Sequence, residues 1–348
     1  MRWHHWFRNG LTQPRTGRIS RPRLPGRGRL RPRMEQCEDR TLLTSYMAGS
    51  VSDLIKYINA ANTAGGTNTI SLTAPGASPY VLTAVDNTTD GATGLPVISG
   101  GGKNVAADIL NIIGNGDTIE RSTASGTPAF RLFDVPSGAS LTLQNLTLQN
   151  GLAFGSGTSA EGGAIYNTGT LVLIGVKVQA NVAQGSNGVT DKHGDGTAGG
   201  PAAGGGIWSN GSLTLGNGTL VQNNQAIGGT GGFATGSRSI NQLKPGVGGN
   251  AFGAGVFLAG GAGTFTGVAV DNNVAVGGLG GAAFNGIDGD IYAGAGNGSG
   301  GGVYIAAGTV ALSSDTVDGN QAEGGTNPGE DNDGSAYGGG IYLAAGRM

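Results

Sequence analysis

The sequence predicts an all-β chain folded as a right-handed parallel β-helix, and three observations carry that expectation. Glycine dominates the composition, with 72 of 348 residues, yet apolar residues still make up 37%. The glycines recur at a fixed place in a repeat, and recurring apolar positions mean stacked units rather than coil. The repeat also has two parts at near-constant spacing. Its first part stands five times, as Gly162-Gly163-Ala164-Ile165-Tyr166, Gly204-Gly205-Gly206-Ile207-Trp208, Gly253-Ala254-Gly255-Val256-Phe257, Gly300-Gly301-Gly302-Val303-Tyr304 and Gly338-Gly339-Gly340-Ile341-Tyr342. Its second part trails the first four copies, as Val178-Gln179-Ala180-Asn181, Val221-Gln222-Asn223-Asn224, Val270-Asp271-Asn272-Asn273 and Val317-Asp318-Gly319-Asn320. The offset from aromatic to asparagine is 15, 16, 16 and 16 residues.

Three segments follow from this: a leader over 1–48, a capping helix with irregular coils over 49–161, and regular repeats over 162–348. Charge sets the leader apart. Of the 20 basic and 22 acidic residues, eleven arginines and three acids fall in 1–44, which leaves the remainder acidic. Arg-Pro alternation, as in Arg21-Pro22-Arg23 and Arg31-Pro32-Arg33, opposes helix and keeps the segment extended and solvated, so it is expected to be disordered. The body has no basic stripe and no zinc spacing, which argues against nucleic acid as a partner. Cys37 is the single cysteine, so no disulfide braces the chain; in a repeat protein each coil is braced by its neighbours. No stretch reaches the roughly 18 consecutive apolar residues of a membrane-spanning helix.

The leader runs into Glu35-Gln36-Cys37-Glu38-Asp39-Arg40-Thr41-Leu42-Leu43-Thr44. This segment resembles the "LEDRxLLS" stretch of extracellular planctomycete proteins, with Cys37 where that family has leucine and Thr44 where it has serine. The resemblance implies export.

The first folded element is expected at Ser52. Over Ser52–Asn62, a serine cap and Asp53 in the first turn precede Leu54, Ile55, Ile58 and Ala61 at helical spacing, and Gly65-Gly66 stops the run. A strand over 68–72 follows, so the helix suits a lid on the open end of a solenoid, whose apolar interior and unpaired backbone would otherwise meet water. The stretch resembles the opening "LREAI…AN…DTI" of bacterial cell-surface β-helix proteins. Further strands are expected at Ile109–Ile113 and over Leu141–Leu148, where alternation is strict.

Within a repeat, three strands are expected, for example Ile207-Trp208, Leu213-Thr214-Leu215 and Leu220-Val221. Alternation then turns Ile207, Leu213, Leu215 and Val221 inward. Stacking at about 4.8 Å per coil places equivalent residues over one another. Asn181, Asn224, Asn273 and Asn320 are therefore expected to form an amide ladder at one corner. The glycine-rich stretches 184–203, 227–252, 276–299 and 323–337 lack apolar patterning and read as loops projecting from one edge, or alternatively as extra coils with thin cores.

The two repeat motifs resemble the GGA[ILV] and FxxN repeats of chlamydial polymorphic outer membrane proteins and related β-helix surface proteins, with valine in place of phenylalanine in all four VxxN copies. The resemblance implies a bacterial cell-surface or extracellular protein acting in adhesion or display. The sequence stops inside a fifth repeat, which reads as a gene fragment or as a short secreted form with a frayed last coil.

Four candidate sites remain. If Ile165 and its equivalents point inward, Tyr166, Trp208, Phe257, Tyr304 and Tyr342 form an outward aromatic stripe that suits glycans or a protein partner, or else a stacking ladder covered by the glycine stretches. Asp288, Asp290, Asp331 and Asp333 offer hard oxygen ligands for calcium in loops, against a default of solvated acids and no cofactor. His193, in Asp191-Lys192-His193-Gly194-Asp195, reads as a solvated loop residue. A β-helix polysaccharide lyase or glycoside hydrolase is the alternative function. It requires carboxylates clustered together or with Arg or Lys. No basic residue beyond the leader sits in a repeat with an acid at a register that suggests pairing, so the expectation is no catalytic residue and no enzyme.

Overall fold

The computed structural model describes residues 44–74, 79–99, 109–155, 159–236, 242–284, 290–327 and 332–348, within one compact unit spanning Thr41–Met348. The leader before Thr44 lies outside the described residues.

The coil around Trp208 shows the plan. Its strands run Ile207–Ser209, Ser212–Gly216 and Leu220–Gln222, turn at Asn223-Asn224, and continue as Gln225–Ile227. The chain then leaves the body sideways and returns through Ala251–Phe252 to the next coil's Val256–Leu258. Each strand pairs in parallel with its equivalents in the coils before and after it. Three parallel sheets of six, eight and seven strands enclose the body, and two of five strands enclose the root of the lateral excursion. This is a parallel β-helix.

The interior is built of columns. Ile70, Ile112, Leu143, Leu173, Leu215, Phe265 and Leu312 stack in register on the eight-stranded sheet. Beside them run Leu110, Leu141, Leu171, Leu213, Gly263 and Val310. Gly263 interrupts the second column, where a Cβ would lie 3.3 Å from Val310 and 3.4 Å from Leu258. Ile207, Leu213, Leu215 and Val221 are all fully buried, as alternation requires.

Three expectations need correction at the N-terminal end. The residues read as the end of the leader form a strand, Thr44–Ala48, which pairs with Thr67–Leu72 and precedes the helix. The helix spans Val51–Ala64, and its cap is Ser50 rather than Ser52, with Ser50 Oγ accepting from Asp53 N at 3.1 Å. Gly65 ends it at φ 62°, and Leu54, Ile58 and Ala61 join the core as a lid. The single strand expected over Leu141–Leu148 is two, Ser140–Gln144 and Thr147–Gln149, because Asn145 turns the corner at φ 51°. Asparagine tolerates the left-handed region better than most residues, so a polar position in an alternating run was a corner.

The glycine-rich stretches are not separate loops: they stack as lateral extra coils with thin cores, the alternative reading. At the root, Ala153, Ala160, Ala183, Ala202, Ala226, Ala251, Ala254 and Ala275 form a core of methyl groups between the two five-stranded sheets. Further out the legs run as glycine, up to a second small core of Ala234, Leu243 and Ala283. The outbound leg Gly228-Gly229-Thr230-Gly231-Gly232 donates from Gly228 N to Val276 O (2.9 Å) and from Gly231 N to Leu279 O (2.8 Å) in the next coil. It also donates from Gly229 N to Gly200 O (2.9 Å) and from Gly232 N to Thr197 O (2.8 Å), on the return leg of the previous coil. The bonds recur every third residue and leave in different directions, which is the habit of polyproline-II chains, three residues per turn with no internal bonds, and not of a β ladder. Close approach dictates glycine here. A Cβ on Gly229 would stand 1.9 Å from Ser186 O, and one on Gly278 would stand 2.0 Å from Gly229 O.

Candidate functional site

The asparagine corner forms a continuous chain of amides. Nδ2 of Asn181 donates to Oδ1 of Asn224 at 2.9 Å, Asn224 to Asn273 at 2.9 Å, and Asn273 to Asn320 at 2.8 Å. The Oδ1 atoms of Asn224, Asn273 and Asn320 also accept from the backbone N–H of the asparagine one coil earlier, that of Asn181 accepts from Gly151 N, and each Nδ2 reaches back to a carbonyl, as Asn224 does to Val178 O at 2.9 Å. The residue before each asparagine is left-handed: Ala180, Asn223, Asn272 and Gly319 have φ of 54°, 55°, 55° and 62°. Beside this column runs an outer one that the repeat motif did not reveal, in which Gln222 donates to Gln179 and Gln179 to Gln149, both at 2.9 Å. These columns brace the coil.

The aromatic column stacks ring on ring. Centroids of Tyr166–Trp208, Trp208–Phe257, Phe257–Tyr304 and Tyr304–Tyr342 are 4.5, 6.4, 5.2 and 5.2 Å apart, at interplanar angles of 8°, 13°, 12° and 26°. The rings stand outside the body core but cover one another's faces, and Trp208 is buried. A sugar ring stacking on an aromatic needs a free face, and this column presents edges.

The other expected residues stay apart. His193 lies in a turn at the tip of the first excursion, where Asp191 Oδ1 accepts from the backbone N–H groups of His193 and Asp195. Asp288 and Asp331 lie outside the described residues, and Asp290 is placed only as backbone of the strand Asp290–Tyr292. Asp333 accepts from Asn327 N at 2.6 Å. Among the described residues, no three His, Cys, Asp or Glu side chains are grouped to hold a metal ion.

What the repeat pattern missed stands one coil below its first copy. The aromatic column continues past Tyr166 to Asp134, its register partner on the strand Phe133–Val135. Asp134 is fully buried, and neither carboxyl oxygen has a hydrogen-bond partner; the Asp90 backbone approaches it without meeting bonding geometry. Arg131, three residues earlier and 6% exposed, donates from Nη1 to Asp90 O at 2.6 Å. Its guanidinium carbon sits 4.8 Å from the Tyr166 ring centroid, where the ring's negative face attracts a cation. The chain before it is tied in by Gly94 N to Arg131 O (2.8 Å) and Arg131 N to Ala92 O (3.0 Å), which brings Asp90 over the guanidinium. Outside the repeats, to which the expectation of no paired acid and cation applied, this coil brings together Asp90, Arg131 and Asp134, and Glu161 joins them across the excursion root.

Burial sets the electrostatics. Loss of water pushes the Asp134 carboxyl up to about 6, the Asp90 charge adds to the effect, and Arg131 opposes it. Burial also raises the Glu161 carboxyl against the pull of Arg131, and it lowers the Arg131 guanidinium. Asp90, Arg131 and Glu161 line a cavity of about 420 Å³, with Ala153 and Ala160 among its small side chains and Phe154 at its rim, 52% exposed. The signal was present in the sequence: Phe133-Asp134-Val135 has the apolar-X-apolar form of a rung, with a carboxylate where later rungs carry a ring.

Compared with protein-family models, with curated proteins and with solved structures, the chain matches none.

Proposed function

We propose that the chain is an exported bacterial surface protein that acts by binding, in adhesion or display, and that its solenoid is a rigid carrier for the binding surface. One observation carries the preference for binding over catalysis. Asp134, the carboxyl that burial lifts to about 6, is sealed from solvent and lines no part of the cavity, so it does not touch a molecule bound there. Two carboxyl groups must flank a scissile glycosidic bond for hydrolysis by the usual route. Support for export comes from the basic leader and from its resemblance to extracellular proteins around Glu38–Leu43. Fractionation of a bacterium producing the full chain tests this part: recovery in the medium or on the cell surface is expected, and recovery only in the cytoplasm overturns it.

A second reading, a β-helix glycoside hydrolase or lyase, is favoured by one feature: Asp90 and Glu161 line the same cavity beside Arg131. Assays for new reducing ends and for unsaturated products, run on plant, algal and bacterial polysaccharides, separate the two readings.

A further inference from the structure

Resting on the reading of a binding protein, we propose that the cavity between Asp90, Arg131, Phe154 and Glu161 is a binding site for a neutral sugar residue of a glycan. Its size, about 420 Å³, lies within the range of small-ligand pockets. Its chemistry selects among ligands. Asp90 and Glu161 offer carboxylate acceptors, and Arg131 offers guanidinium donors. A carboxylate ligand would face two carboxylates across the cavity, and an ammonium ligand would face the arginine. A hydroxyl both donates and accepts, so neighbouring hydroxyls on one ring satisfy both kinds of wall at once.

The apolar part of the cavity fits the same ligand. Phe154 ends the strand Leu152–Phe154 with a half-exposed ring, and, unlike Tyr166, Trp208, Phe257 and Tyr304, it stacks on no ring among the described residues. A free aromatic face accepts the C–H side of a pyranose, while Ala153 and Ala160 leave room for the ring. Arg131 is held before any ligand arrives, by the Asp90 carbonyl and the Tyr166 face, so little order is lost when it binds.

The experiment is calorimetric titration of the full chain with neutral gluco-, galacto-, manno- and xylo-oligosaccharides, alongside glucosamine and galacturonate oligomers. Phe154→Ala and Glu161→Gln are run in parallel, both at solvent-accessible positions, with thermal unfolding as the check that they fold. Binding of at least one neutral series is expected, weakened about tenfold by Phe154→Ala with Tm unchanged. Glu161→Gln is expected to weaken it as well. Preference for the uronate or amino-sugar series overturns the proposal, as does neutral-sugar binding that neither substitution changes. That last result would leave the binding reading intact and move the site elsewhere; absence of binding to every series overturns the sugar site, while the binding reading itself falls only if the cleavage assays find products.

Discussion

Replacing Asn224 by alanine should cost the protein about 3–4 kcal/mol, several times the cost of any exposed polar substitution. Asn224 is fully buried and takes part in four side-chain bonds. Its Oδ1 accepts from Asn181 N at 3.0 Å and from Asn181 Nδ2 at 2.9 Å, and its Nδ2 donates to Asn273 Oδ1 and Val178 O, both at 2.9 Å. A net hydrogen bond contributes about 1 kcal/mol, and an orphaned buried donor costs about 1–3 kcal/mol. The Asn181 backbone N–H becomes such an orphan, whereas Asn181 Nδ2 keeps its bonds to Leu148 O and Gln179 O. The estimate therefore takes the low end of the net range, about 0.5 kcal/mol, for each of the four lost bonds, and about 1–2 kcal/mol for the one donor without water. Solenoids open locally, so the assay is amide hydrogen exchange at Gly151, Asn181 and Asn224 together with denaturant unfolding. Gln222→Ala, in the outer column, is the control at under 1 kcal/mol. A cost for Asn224→Ala as small as for Gln222→Ala, or unchanged exchange at Asn181, would refute the reasoning.

Three further outcomes follow from the same geometry. Ala180 holds an exposed left-handed corner at φ 54°, so Ala180→Gly should raise stability by about 0.5–1 kcal/mol, read as a higher denaturant midpoint; a lower midpoint contradicts it. Gly278→Ala should loosen the lateral layer, because its Cβ would meet Gly229 O at 2.0 Å, whereas Gly294→Ala, with nothing within 4 Å, should be neutral. Limited proteolysis and exchange in 228–250 distinguish the two, and equal behaviour would count against the packed layer. Burial lifts the Asp134 carboxyl from its ordinary 3.8 to about 6, so the unfolded chain ionises first as pH rises. The fold then loses stability between about pH 4 and pH 6, with the full penalty above that. Asp134→Asn removes the ionisation and should gain about 2–3 kcal/mol on the parent between pH 4 and pH 7.5. A pH-independent difference in urea unfolding would sink that assignment.

The body was legible because its pattern lies in side chains. Ile207, Leu213, Leu215 and Val221 were placed inward by alternation, and they are fully buried. The asparagine column was legible from spacing alone, since a polar residue recurring every coil at a corner has only its own copies to bond. The lateral layer was not, because glycine carries no pattern: Gly229, Gly249 and Gly278 are selected by neighbouring carbonyls about 2 Å from an absent Cβ. The charged site escaped for a different reason. Arg131 and Asp134 sit in a coil without the glycine motif, and Asp90 and Glu161 reach them from 41 residues before Arg131 and from the far side of the excursion. Their juxtaposition depends on how the chain folds back, which no local spacing records.

The most direct test of the central claim, a solenoid that binds a sugar without cleaving it, is a single incubation read in two ways. The full chain is mixed with the oligosaccharide that binds best; binding is followed by calorimetry, and the sugar is then recovered for mass spectrometry. Reversible binding that weakens in Phe154→Ala and Glu161→Gln, with the oligosaccharide recovered intact, is the outcome the structure leads us to expect. Shortened or unsaturated products, formed by the parent and lost in Glu161→Gln, would contradict it and make the cavity an active site.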